Sequence, residues 1–135
     1  MDIIEKCKNL LMIYEYIIFA YIFGSYAKGK MRANSDIDIA VYLDQEIDTE
    51  TYLEIKMLLS DICEREVDLI ILNEAPPLLK YQVYKNNILL FTRNKSIETH
   101  YKVKTLFEYN DFKRYLDLAY EKTIERLKNE VESNG

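Results

Sequence analysis

The sequence lacks the motifs of the commonest nucleotide-binding sites, and it contains only one histidine and two cysteines. It contains neither a Gly-x-x-x-x-Gly-Lys-Ser/Thr segment nor a Gly-x-Gly-x-x-Gly segment, which excludes a P-loop and a Rossmann-type site. The one histidine, His100, stands at no nucleophile or metal-ligand spacing and is interpreted as an ordinary polar residue. Cys7 and Cys63 lie in separate apolar helical patterns, which predicts reduced core thiols rather than a disulfide.

A strongly basic surface and a long apolar run are also missing. The formal net charge is −5 and the C-terminal lysines alternate with acids, so direct binding of RNA or DNA is not expected. Residues 10–23 are largely apolar, but they include Glu15 and are too short to span a bilayer. The N-terminus, with Asp2 and Lys6, does not resemble a signal peptide. We therefore expect a cytoplasmic protein without membrane contact.

The sequence predicts a single domain, because its 135 residues contain no internal repeat, low-complexity segment or linker. The alternation of apolar patterns predicts an α+β fold of the α/β type: a small mixed sheet flanked by helices, over residues 1 to about 92, and a helical C-terminal segment at about 95–131. The predicted helices are 2–15, 25–29, 49–64, 78–85 and 97–131, the last with a break at Asn110-Asp111 and a fraying tail at 133–135. The predicted strands are 17–23, 36–43, 66–72 and 88–91.

Two carboxylates at the start of the second strand form the first half of a candidate site. Asp36 and Asp38 follow Gly24-Ser25 after ten intervening residues, and both side chains point to the same face of a strand. Two like charges on one face repel each other unless a cation lies between them, and carboxylate and phosphate oxygens are the ligands of Mg²⁺. The pattern therefore predicts a magnesium site at Asp36 and Asp38.

The Gly-Ser turn supplies the second half of the site, a phosphate-binding region. Gly24 has no Cβ, so the backbone can approach a phosphate closely, and Ser25 adds a hydroxyl at a helix start, although it could equally be that helix's N-cap. Arg32 lies in a polar loop, residues 30–34, that could cover a bound nucleotide. A nucleoside triphosphate is compatible with an acidic protein because its metal ion adds positive charge.

A third carboxylate, Asp68, lies within the third predicted strand. A buried aspartate in a strand is costly without a partner. If this strand pairs with the second one, Asp68 completes a metal triad with Asp36 and Asp38. The alternative is an edge-strand aspartate that faces water. Arg93, which follows the fourth strand, is interpreted as a surface residue.

The spacing Gly24-Ser25, ten residues, Asp36-Ile37-Asp38 resembles the signature of the polymerase-beta-like nucleotidyltransferase superfamily. Over residues 17–72 the chain is most similar to the minimal nucleotidyltransferases, the antitoxin halves of HEPN/MNT toxin–antitoxin pairs. Those proteins adenylylate a tyrosine of a helical HEPN ribonuclease and silence it. Lys28 departs from the arginine that is more frequent in the family's Gly-Ser-x-Ala-Arg-Gly pattern, and a lysine offers a point charge rather than a fork.

The resemblance implies an Mg²⁺-dependent transfer of AMP from ATP to a hydroxyl, most often tyrosine, of a HEPN-type ribonuclease toxin in a hetero-oligomer. It places two Mg²⁺ ions at Asp36, Asp38 and Asp68, and the ATP phosphates at Gly24, Ser25 and Lys28. Only residues 73–135 follow the third strand, which leaves little chain for an acceptor domain. Two alternatives stay open: an antitoxin that acts by binding alone, and a small-molecule nucleotidyltransferase of the aminoglycoside type. A neighbouring gene that encodes a small helical protein with an Arg-x4–6-His pattern would favour a toxin partner.

Overall fold

The structure is a computed structural model that describes residues 1–30, 32 and 35–134. Three residues of the predicted nucleotide-covering loop (31, 33 and 34) and residue 135 lie outside the described residues. The elements, in chain order, are α1 (Ile3–Leu11), β1 (Ile17–Phe23), α2 (Gly24–Ala27), β2 (Ile37–Leu43), α3 (Thr49–Cys63), β3 (Val67–Ile71), α4 (Pro77–Lys85), β4 (Asn87–Thr92) and α5 (Lys95–Asn134).

The four strands form one mixed sheet in the order β3-β2-β1-β4, which confirms the predicted fold class. β1 pairs antiparallel with β2 and with β4, whereas β2 and β3 are parallel and are connected through α3. The registers place one residue of each strand in a single row across the sheet: Asp68, Asp38, Phe23 and Asn87. This row lies at the end of the sheet where β1 finishes and the other three strands begin.

Each face of the sheet is covered by two helices. On the first face, Ile37, Ile39, Val41 and Leu43 of β2 pack with Cys7 and Leu11 of α1 and with Ile55, Leu59 and Cys63 of α3. Cys7 and Cys63 are free, buried thiols with their sulfur atoms 3.4 Å apart, as expected for reduced core residues. Because side chains alternate along a strand, Asp38 belongs to the opposite face.

The second face packs against α4 and α5. Its buried cluster contains Phe19, Tyr21 and Phe23 of β1, with Val83 of α4 and Tyr101 of α5 beside them. The Tyr81 ring of α4 stacks on the Tyr109 ring of α5 with centroids 3.6 Å apart. The candidate carboxylates therefore lie on the face that α4 and α5 cover.

A buried carboxylate anchors the start of α5 on this face. Glu98 is fully buried, and its oxygens accept a hydrogen bond from the Tyr21 hydroxyl at 2.5 Å and ion-pair contacts from Lys95 at 3.1 Å and Lys102 at 3.4 Å. Burial on its own would raise the pKa of Glu98, but the hydrogen bonds from Tyr21 and Lys95 and the charge of Lys102 outweigh it, and the pKa lies below its usual value. The ionised form is thus the one that the fold stabilises.

Three predictions about the helices were wrong. The first helix was expected to reach residue 15, but α1 ends at Leu11, where the Arg93 guanidinium donates hydrogen bonds to the carbonyls of Met12, Tyr14 and Ile17 and holds the chain in its turn towards β1. The predicted break at Asn110-Asp111 is absent, because α5 runs continuously from Lys95 to Asn134. The tail predicted to fray belongs to α5 as far as Asn134.

The second half of α5 exposes a set of large apolar side chains. Beyond residue 110 nearly every residue is exposed, among them Tyr115 (68%), Leu116 (48%), Tyr120 (67%), Leu127 (45%) and Val131 (70%). Exposed apolar patches of this kind are typical of protein–protein contact surfaces. Among the described helices, none combines the length and the apolar character needed to cross a membrane.

Candidate active site

Asp38 and Asp68 lie directly opposite each other on neighbouring strands, as the sequence predicted for a pairing of the second and third strands. Asp38 of β2 is half-buried and pairs in register with Asp68 of β3. Asp68 is nevertheless exposed on the edge strand, so the alternative of an edge-strand carboxylate in contact with water describes its surroundings correctly. The two positions are neighbours and their side chains share one face of the sheet.

Asp38 is in an unfavourable electrostatic environment. Burial raises its pKa, and the negative charges of Asp68 and Asp36 raise it further. Over the part of the chain that the structure describes, no side chain donates a hydrogen bond to the carboxylates of Asp36, Asp38 or Asp68, and none forms an ion pair with them. Within the described residues, these three carboxylates therefore have no direct side-chain partner that neutralises their charge.

Gly24 allows the backbone of the Gly-Ser turn to approach Asp38. It adopts φ = +69°, a conformation that favours glycine, and a Cβ placed there would stand 3.2 Å from Asp38 Cγ and closer still to Oδ2. Gly29 also has φ = +69° and follows the end of α2, as predicted for the residue that terminates this short helix. The turn and the Asp38 carboxylate are thus one packed unit.

The other predicted residues lie around this unit with different degrees of involvement. Asp36 precedes β2, which begins at Ile37, and is exposed. Ser25 is not the N-cap of α2, since the capping position is Phe23 and no side-chain cap bond forms there. Lys28 is the C-cap residue of α2 and is exposed. Ser25, Arg32 and Asp36 do not line the cavity that opens over Asp38.

A cavity of about 540 Å³ opens over the two paired carboxylates. It is lined by Gly24, Lys28, Asp38, Asp68 and Phe23, and by Ile70, Leu79, Gln82, Lys85 and Asn86. The last three residues belong to the end of α4 and were missed in the sequence, because no motif marks them. The only local signal is the Pro76-Pro77 helix start, which indicates where α4 begins but not what its end will face.

The donor set fits a hard cation, although the site is not preassembled. In residues 1–30, 32 and 35–134, no group of three or more His, Cys, Asp or Glu side chains lies close enough together to hold a metal ion. Asp68 and Asp36 are nevertheless close enough to raise the pKa of Asp38, and oxygen-only donors beside an open cavity suit Mg²⁺, which retains waters and substrate oxygens as ligands. The three-carboxylate metal site stays a prediction.

The model of the family "Polymerase beta, Nucleotidyltransferase" matches residues 5–96, which include the whole sheet and every residue that lines the cavity. The chain belongs to this nucleotidyltransferase family. It is also 35% identical over 89 residues to the protein adenylyltransferase MntA of Shewanella oneidensis. That match covers 66% of this chain, which in turn spans only 63% of the length of MntA.

Solved structures agree with this nucleotidyltransferase assignment. A toxin-antitoxin that contains MntA, in a mutant form, superimposes with a TM-score of 0.80 at 25% identity, over 90% of this chain and 98% of that one. A toxin-antitoxin crystallised with AMP-PNP gives a TM-score of 0.75 at 25% identity, over 87% of this chain and 98% of that one. Both matches extend beyond the family model and therefore include part of α5.

We expect Asp68→Asn to fold with equal or slightly higher stability at pH 7. The raised pKa of Asp38 means that its ionised form destabilises the fold at neutral pH, and Asp68 is one cause of that cost. The gain should be about 0.5 kcal/mol or less, because water screens the exposed Asp68. It should shrink as the pH falls through the pKa of Asp38, since the protonated carboxyl no longer feels the repulsion. Thermal unfolding at pH 7 and pH 4 measures this difference.

Asp44→Asn is the matched control, because it removes an exposed carboxylate at the opposite end of β2. It should give no pH-dependent gain. A clear loss of stability in Asp68→Asn would show that Asp68 stabilises the fold and is not reserved for binding a ligand.

Proposed function

We propose that this nucleotidyltransferase is an Mg²⁺-dependent protein adenylyltransferase, which moves AMP from ATP to a hydroxyl of a partner protein. The observation that carries the proposal is the placement of Asp38 opposite Asp68, against Gly24, at the floor of an open cavity. Two unneutralised carboxylates beside a close-approach glycine suit a metal–triphosphate better than any other common ligand.

The residues have separate roles in the proposed reaction. Asp38 and Asp36, with Asp68, would hold Mg²⁺, which stabilises negative charge on the triphosphate when it is bound. Gly24 and Ser25 bind the β- and γ-phosphates through backbone N–H groups and the serine hydroxyl. Lys28 adds a positive charge at the rim of the cavity. Together they orient the α-phosphorus towards the open side.

The chemical step is an in-line displacement at the α-phosphorus. The acceptor oxygen forms a new bond to this phosphorus, the bond to the β-phosphate bridging oxygen breaks, and pyrophosphate leaves. The acceptor hydroxyl loses its proton, and Asp68 accepts it as general base because it is exposed to the incoming acceptor. Catalysis comes mainly from positioning and charge stabilisation.

The acceptor is proposed to be a protein, a HEPN-type ribonuclease toxin modified on tyrosine. The support is the adenylyltransferase name of the Shewanella relative, the toxin-antitoxin identity of the structural neighbours, and the large apolar side chains exposed on the second half of α5. We assign the docking of this partner to the surface formed by Tyr115, Leu116, Tyr120, Leu127 and Val131. Such a pair acts on cellular RNA, so the cytoplasm is its proposed location.

ATP labelled on either the α-phosphate or the γ-phosphate tests whether the protein transfers AMP. When the protein is incubated with its toxin partner, Mg²⁺ and ATP, label on the α-phosphate should appear on the toxin, whereas label on the γ-phosphate should not. Transfer of the γ-label would indicate a phosphotransferase instead. If a small aminoglycoside accepts the α-label and the toxin does not, the acceptor assignment is wrong although the nucleotidyltransferase chemistry holds.

A further inference from the structure

The end of α4 lies directly beside the Gly-Ser turn. β4 begins at Asn87, which pairs with Phe23, the last residue of β1. Lys85 and Asn86, immediately before Asn87, are therefore next to Gly24, immediately after Phe23, and all three line the cavity over the carboxylates. No sequence motif connects these residues, which are some sixty positions apart.

Charges of both signs line this cavity. Asp38 and Asp68 come from β2 and β3, whereas Lys28 is the C-cap residue of α2 and Lys85 is the last residue of α4. A metal–triphosphate also contains both signs of charge, with a cation at one part and phosphate oxygens at another. The carboxylates suit the metal and the two lysines suit the phosphates.

Lys85 is available for such a contact. It is exposed, and its ammonium group lies 5.7 Å from the centre of the Tyr81 ring. Within the described portion of the chain it forms no ion pair, unlike Lys80 of the same helix, which is 3.3 Å from Glu108. Since α4 is anchored through the buried Val83 rather than through Lys85, a change at Lys85 should leave the fold intact.

We propose that Lys85 is the second triphosphate-binding cation of this site, in addition to Lys28, with the Asn86 carboxamide beside it. The inference depends on the proposed function, because it assumes that ATP enters this cavity. The alternative is a purely structural role for Lys85, because a lysine in the last turn of a helix interacts favourably with the helix dipole. Lys8 likewise lies in the last turn of its helix, α1, which packs on the opposite face of the sheet from the cavity, and it provides the control.

Titration calorimetry with MgATP distinguishes the two explanations. Lys85→Gln should bind MgATP about tenfold more weakly than wild type, the loss expected for one exposed charge-assisted contact. Lys85→Arg should retain most of the affinity, and Lys8→Gln should bind like wild type. AMP, which lacks the β- and γ-phosphates, should lose much less affinity in Lys85→Gln. Melting temperatures of the lysine variants verify that the fold is unchanged.

Equal MgATP affinity in wild type and Lys85→Gln would overturn the assignment of Lys85 and leave the proposed function standing. An equal loss for MgATP and AMP would also contradict it, because the contact would then not be to the outer phosphates. If the wild-type protein binds no MgATP at all, the proposed function itself fails, and the role of Lys85 fails with it.

Discussion

The double variant Asp36→Asn/Asp38→Asn is expected to lose AMP transfer almost completely, by a factor on the order of 10³ or more. Asp38 lies at the floor of the cavity against Gly24, and Asp36 is close enough to raise its pKa. Neutral amides keep the shape of both side chains but remove the charge that attracts a cation. Initial rates of AMP incorporation into the toxin measure the effect.

Ligand-induced stabilisation gives the same variant a readout that is independent of turnover. In the wild type, MgATP together should raise the melting temperature more than Mg²⁺ or ATP alone, because ligands that bind the folded state stabilise it. In Asp36→Asn/Asp38→Asn this joint effect should vanish, whereas Asp44→Asn should retain it. An undiminished joint shift in the double variant would refute the assignment of the site.

Glu98→Ala should destabilise the fold far more than any of the site variants, by about 2–4 kcal/mol. The carboxylate is fully buried and joins Tyr21 of the sheet to Lys95 and Lys102 of α5. Its removal leaves a cavity and a buried Tyr21 hydroxyl without an acceptor, while the two lysines can turn to solvent. Urea unfolding at pH 7 measures the change in the free energy of unfolding.

One companion variant separates the contributions of this network. Glu98→Gln keeps an acceptor for Tyr21 but loses the ion pairs, and it should be intermediate in stability. Because the pKa of Glu98 is lowered in the folded protein, its ionisation contributes stability that is present at neutral pH and is lost as the pH falls through that lowered pKa. The difference between wild type and Glu98→Gln should therefore shrink in acid. A Glu98→Ala protein as stable as wild type would show that α5 does not depend on this anchor.

The carboxylate half of the site could be predicted from the sequence because local patterns determine it. Alternation along β2 sends Ile37, Ile39 and Val41 into one core and leaves Asp38 on the other face. A parallel crossover through α3 then brings Asp68 beside it, since β2 and β3 are separated by one helix and pair in register. Each step depends on spacing within a single element or between two neighbouring elements.

The remaining features depend on contacts between distant residues, which no local pattern records. Lys85 lies in the cavity because β4 pairs with β1, a relation between residues some sixty positions apart. Asn110-Asp111 resembles a helix start in sequence, yet the stacking of Tyr109 on Tyr81 and the Glu108–Lys80 ion pair hold this part of α5 in one continuous helix. Ser25 resembles an N-cap, but α2 begins one residue earlier, at Gly24.

Intact-mass spectrometry of the proposed HEPN-type toxin partner, co-expressed with this protein, shows directly whether AMP is transferred to it. We predict that the toxin gains mass in steps of one adenylate, that a tyrosine of the toxin holds the added group, and that Asp36→Asn/Asp38→Asn abolishes the gain. A toxin that is bound and inhibited but keeps its unmodified mass would contradict the proposed adenylyltransferase function, because neutralisation would then come from contact alone.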